Sequence, residues 1–112
     1  MRREDVIEAT VAILAKAETS LPTWVAERIE DAAKKETNPI ARSQLEAIME
    51  NVRIASSEGV PLCQDTGLPV FHLEIGRDLK IPPFLEEAIA EGVRRATEDI
   101  PLRPNAVHPL TR

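Results

Sequence analysis

Aromatic residues are almost missing from this 112-residue chain, which has two Phe, one Trp and no Tyr. Its core must therefore be aliphatic, built from Ile, Leu, Val and Ala. There is one cysteine, Cys63, so no internal disulfide can form. A single Cys points to a reducing compartment, a free thiol or a metal ligand. No run approaches the roughly 18 consecutive apolar residues of a membrane helix, so no span is expected. The opening Met1-Arg2-Arg3-Glu4-Asp5 shows neither a long apolar segment nor a small-residue cleavage site. It does not read as a secretory signal, and the expected location is the cytoplasm. Basic residues are outnumbered, 14 against 19 acidic, for a net charge of −5. That balance argues against nucleic acid, which needs a basic face for its phosphates. A small anionic substrate remains compatible, because a few local arginines outweigh a global charge.

What the chain does have is apolar content, 43% of its residues, enough to fold rather than stay disordered. Its length suits one domain with a modest core, and it carries no internal repeat or low-complexity tract. The first half reads as three helices. Val6, Thr10, Ile13, Leu14 and Ala17 follow helical spacing. Thr19-Ser20 break it, and Pro22 suits the first turn of the next helix, which Trp24, Val25, Arg28, Ile29, Ala32 and Ala33 continue. Lys34-Lys35 favour the negative C-terminal end of that helix dipole. Asn38-Pro39 is a start signal, cap then first helical position. Ala41, Leu45, Ile48, Val52 and Ala55 form an apolar stripe, and Gly59 is a natural stop.

Beyond it, Val70-Phe71-His72-Leu73-Glu74-Ile75 alternates, with Phe71, Leu73 and Ile75 on one face and His72 and Glu74 on the other. The spacing predicts a strand buried on one side. Gly76-Arg77-Asp78 turns the chain. Pro82-Pro83 opens a fourth helix carrying Phe84, Leu85, Ala88, Ile89, Val93 and Ala96. From Ile100, three prolines in ten residues predict an ordered loop or extended segment. The expected class is α+β: a mainly helical fragment with one principal β-strand. A lone strand cannot satisfy its own backbone groups, so the fold is expected to be part of a larger domain or an oligomer.

The chemistry gathers at Pro61-Leu62-Cys63-Gln64-Asp65-Thr66-Gly67. The only thiol of the chain is followed at once by an amide, a carboxylate, a hydroxyl and a glycine. A soft metal ligand thus stands beside groups that can donate to a small substrate or take a proton from it. The run Cys63-Gln64-Asp65-Thr66-Gly67, preceded by Pro61 and followed by a β-like segment to Gly76, resembles the first cluster-ligand loop of the class I fumarases. These are iron–sulfur hydro-lyases, a group that includes the tartrate dehydratase α-type chains. Leu45 to Gly67 is similar to the family's N-terminal helix feeding that loop. Leu102-Arg103-Pro104-Asn105 through Pro109-Leu110-Thr111-Arg112 resembles a segment before its second cysteine.

The resemblance implies a [4Fe–4S] cluster held by three cysteines, of which this chain supplies Cys63 and the others lie beyond residue 112. It implies an open iron acting as a Lewis acid and the reversible addition of water to fumarate, giving malate, with tartrate as the alternative substrate. By the same resemblance Gln64 donates to a substrate carboxylate, Asp65 handles a proton near the reacting hydroxyl, and Arg103 pairs with a substrate carboxylate, a task its fork suits. Gly67 lets the backbone approach the cluster. The chain would be residues 1–112 of the N-terminal part of an α-type catalytic domain, inactive alone. Its partners would be a small dicarboxylate and a β subunit or C-terminal domain, within an oligomer.

Plainer readings stand beside these. A lone Cys is often a small buried hydrophobe. Asp65 before Gly67 also suits an Asx-turn, and Thr66 a turn or cap hydroxyl. Arg103 also suits the surface of a Pro-rich loop. His72 and His108 belong to no metal spacing, and Lys34-Lys35-Glu36 and Glu86-Glu87 read as solvated helix faces. The rival function is a non-catalytic helical module that binds a partner protein through its apolar stripes. Such a module has no use for Gln-Asp-Thr after the cysteine.

Overall fold

The computed structural model describes residues 1–63, 68–100 and 102. Four helices follow one another: α1 (Arg3–Thr19), α2 (Thr23–Lys35), α3 (Pro39–Glu58) and α4 (Leu85–Asp99). They divide between two units, Met1–Leu14 with the chain after Cys63, and Ala15–Cys63.

In the second unit the helix ends are written in the sequence. Asn38 accepts from the Ile40 and Ala41 amides with Pro39 just inside, and caps α3. Gly59 ends the helix at φ 67°, in the left-handed region, and the Val60 amide reaches back to the Ala55 carbonyl at 3.2 Å. Helices α2 and α3 pack on one another. Val25, Ala26, Ile29 and Ala33 of α2 and Ala41, Leu45, Met49 and Val52 of α3 are half-buried, and Ala55 is buried. Of the expected stripe residues, Trp24 is 67% and Ile48 46% exposed, Arg28 and Ala32 are exposed too, and Met49 stands inward where Ile48 was expected.

The first unit is built on close contact between α1 and α4. Ile7, Thr10 and Leu14 are buried on α1, and Ala88, Gly92 and Ala96 on α4, with Ile100 just beyond. Thr10 and Leu14 are buried as expected, whereas Ile13 is exposed and Ile7, outside the expected stripe, is fully buried. Small residues at every fourth position of α4 leave room for α1. The Thr10 hydroxyl is satisfied by the Val6 carbonyl at 2.8 Å, so a polar residue sits in this core at little cost.

The α+β expectation is overturned. Among the described residues all regular structure is helical, and Val70–Ile75 forms neither helix nor strand. Phe71 is half-buried, but Val70 is 77% and Leu73 55% exposed. The physical reason is that alternation prepares a segment to lie on a surface, whereas a strand also needs a neighbour to take its amides and carbonyls.

Candidate functional site

The candidate site begins where α3 stops. The left-handed turn at Gly59 redirects the chain through Val60 and Pro61 to Leu62, which is half-buried. Both backbone polar groups of Leu62 are tied down. Its amide donates to the carbonyl of Glu18, in the last turn of α1, at 2.8 Å. Its carbonyl accepts from Asn51 Nδ2, on α3, at 2.8 Å. The Glu18 carbonyl is one of the four that a helix leaves open at its C-terminal end, so the loop fills a vacancy that α1 provides.

Cys63 follows this anchored residue. It is free and exposed, which sets aside the reading of a cysteine packed as a small hydrophobe. A free thiol on a fixed base is chemically suited to give one thiolate ligand to iron. Among the described residues no three His, Cys, Asp or Glu side chains gather to hold a metal, so Cys63 alone represents the expected ligand set here. Gln64, Asp65, Thr66, Gly67, Arg103 and His108 lie outside the described residues. His72 and Glu74 are exposed.

Other features do not include the thiol among their residues. A charged cleft between α2 and α3 is lined by Glu30, Lys34, Arg42, Glu46, Glu50 and Arg53. Apolar clefts in the first unit share Phe71, Leu73, Leu85 and Ile89. The strongest electrostatic perturbation is on α4, where hydrogen bonds from Arg94 and then Arg95 pull the Glu91 carboxyl down to about 2. These pairs are solvent-accessible and belong to helix packing, with Arg95 also reaching Glu4 of α1 at 2.5 Å.

Asn51 is the residue that reading the sequence missed. On α3 it looks like any polar residue on an outward face. Only the reversal at Gly59 brings the loop back within its reach, eleven residues later.

Residues 7–112 match the family model described as Fumarate hydratase (Fumerase). The chain belongs to the Fumerase family. The matched stretch includes Cys63 and the four residues after it. Among curated Fumerase relatives, a Methanocaldococcus jannaschii protein provisionally named L(+)-tartrate dehydratase subunit alpha is 46% identical over 114 residues, covering 100% of this chain and 39% of its own length. A Geobacillus stearothermophilus protein provisionally named class I fumarate hydratase is 33% identical over 109 residues, 96% of this chain and 21% of its own. The L(+)-tartrate dehydratase subunit alpha of Escherichia coli is 27% identical over 100 residues, 89% of this chain and 33% of its own. The chain thus spans between about a fifth and two fifths of the length of these Fumerase relatives. No helix among the described residues is long and apolar enough to cross a membrane.

Proposed function

We propose that this chain is the N-terminal part of the catalytic polypeptide of an iron–sulfur fumarate hydratase, which adds water reversibly to fumarate to give malate. The observation that carries this reading is the family match running through Cys63-Gln64-Asp65-Thr66-Gly67. It is supported by the free, exposed thiol at the head of that run. The rival helical module gives no reason for an outward-facing cysteine followed by an amide, a carboxylate and a hydroxyl.

Cys63 would hold one corner of a [4Fe–4S] cluster, with its remaining protein ligands beyond residue 112. When bound, the cluster supplies Lewis acidity toward the substrate's oxygen atoms. The chain's own residues do the rest. Gln64 donates a hydrogen bond to a substrate carboxylate. Arg103 grips a carboxylate through both arms of its guanidinium. Asp65 takes a proton from the water that becomes the added hydroxyl, or returns one to the hydroxyl as it leaves as water.

L(+)-tartrate is the second reading, favoured by the printed name of the 46% identical relative. Both substrates are four-carbon dicarboxylates, and the roles of Gln64, Asp65 and Arg103 are the same for either. The name "subunit alpha" carried by that relative and by the Escherichia coli protein supports a β subunit as partner, within an oligomer in the cytoplasm. The test is to express the complete polypeptide with any β partner, reconstitute iron and sulfide anaerobically, and assay fumarate, malate and tartrate. Turnover of fumarate and malate above tartrate is expected. Turnover of tartrate alone replaces the first reading with the second. Full iron loading with no turnover of any of the three removes both.

A further inference from the structure

We propose that Asn51 is a positioning residue for Cys63: its side-chain amide fixes the peptide plane from which the cysteine departs, and so sets where the thiol is presented. The inference rests on the reading of Cys63 as a cluster ligand and adds a residue to it.

The geometry is direct. The Leu62 carbonyl and the Cys63 amide belong to one rigid planar peptide unit. Asn51 Nδ2 holds that carbonyl at 2.8 Å. The amide on the other side of Leu62 is held by the Glu18 carbonyl, also at 2.8 Å, and the Leu62 side chain is half-buried. With the plane pinned, the remaining freedom of the thiol is the φ and χ1 of Cys63 itself. Release of the Asn51 contact frees the plane to rotate and carries the thiol with it.

Helix α3 itself gives no reason for an amide here. Asn51 is exposed, well inside α3 (Pro39–Glu58), where backbone groups pair within the helix. Asparagine is also a poorer helix former than alanine, leucine or glutamate. Among the described residues its side chain bonds to the loop, at the Leu62 carbonyl. Groups one step removed from a metal orient the ligand that touches it, and their loss typically weakens metal binding by roughly 10- to 100-fold.

The test uses the complete catalytic polypeptide, reconstituted anaerobically, with three variants. Asn51→Leu keeps approximate volume and removes the donor. Asn51→Asp keeps the shape and turns an acceptor toward the Leu62 carbonyl. Ser56→Ala is an exposed control on the same helix. Three properties are read: iron release to a chelator, the electron paramagnetic resonance spectrum of the reduced cluster, and the melting temperature. Expected are roughly tenfold faster iron release and an altered spectrum in both Asn51 variants, at near-wild-type melting temperature, with Ser56→Ala unchanged. Wild-type release and spectrum in both Asn51 variants overturn the proposal. So does faster release that merely tracks a fall in melting temperature with the spectrum unaltered, since that describes a fold contact. Failure of the wild-type protein to take up iron overturns the ligand reading underneath, whatever Asn51 does.

Discussion

Gly92 of α4 lies against Thr10 of α1 so closely that a Cβ at Gly92 would stand 2.5 Å from the Thr10 Cβ and 2.7 Å from its Cγ2. The Ile7 carbonyl oxygen would be 3.0 Å away. Thr10 is β-branched and stiff at χ1, and its hydroxyl is engaged with Val6, so it cannot swing aside. Gly92→Ala gains about 1 kcal/mol of helix propensity but overpacks the core, which typically costs about 1–3 kcal/mol. The clash involves a branch point and a backbone oxygen, so the cost wins. A net loss of up to roughly 2 kcal/mol is expected by chemical denaturation, and a raised midpoint would show that the helices do not approach this closely.

Two other glycines separate strain from crowding. A Cβ meets nothing within 4 Å at Gly59 or at Gly76, yet only Gly59 has a left-handed φ, 67°. Gly59→Ala should cost about 1–2 kcal/mol from backbone strain alone, whereas Gly76→Ala should stay within about 0.5 kcal/mol. Equal effects at both positions would contradict the left-handed stop of α3.

The network on α4 makes an acid-side prediction. Glu91 accepts from Arg94 at 2.9 and 2.7 Å and from Arg95 at 3.1 Å. These bonds hold its carboxyl at about 2, below the ordinary 4.5. A depressed carboxyl contributes stability that is fully present above the unfolded value and lost as pH falls through the folded one. Glu91→Gln should therefore lower the melting temperature at pH 7. The gap from wild type should close between about pH 4.5 and about pH 2, and added salt should shrink it. A gap independent of pH would assign the loss to packing.

The division of labour between Asp65 and Arg103 is testable in the complete enzyme. Asp65→Asn keeps size and removes the charge proposed to handle a proton, so kcat should fall about a hundredfold or more with iron content intact. Arg103→Lys keeps charge and loses the two-armed grip, so KM should rise with a smaller change in kcat. Near-normal kcat in Asp65→Asn returns Asp65 to a turn, and unchanged KM in Arg103→Lys returns Arg103 to the surface.

Legibility in the sequence followed how local the determining interaction is. The two ends of helix α3 were readable, because Asn38-Pro39 and Gly59 act within a few residues of themselves. The buried face of α1 was read in part: Thr10 and Leu14 are buried as expected, Ile7 was missed, and Ile13 and Ala17 are exposed. Stripes through Ile13 and through Ile7 both have helical spacing, and the choice depends on where α4 sits. Gly92 carried no signal, since a missing side chain matters only against a neighbour. The segment Val70–Ile75 has the pattern of a strand, but a pattern does not supply a pairing partner. At the site, the string from Cys63 to Gly67 was conspicuous as chemistry. The Asn51 contact to Leu62, just before it, was not, because it joins residues eleven apart across a turn.

The most direct test of the central claim is iron content and hydratase turnover in the complete enzyme with Cys63→Ser beside wild type. A serine oxygen is a poorer match than thiolate for iron, so the variant should reconstitute with markedly less iron and lose turnover of fumarate and malate while keeping the helical content of the wild type. Wild-type iron stoichiometry and turnover in Cys63→Ser would contradict the assignment of Cys63 as a cluster ligand.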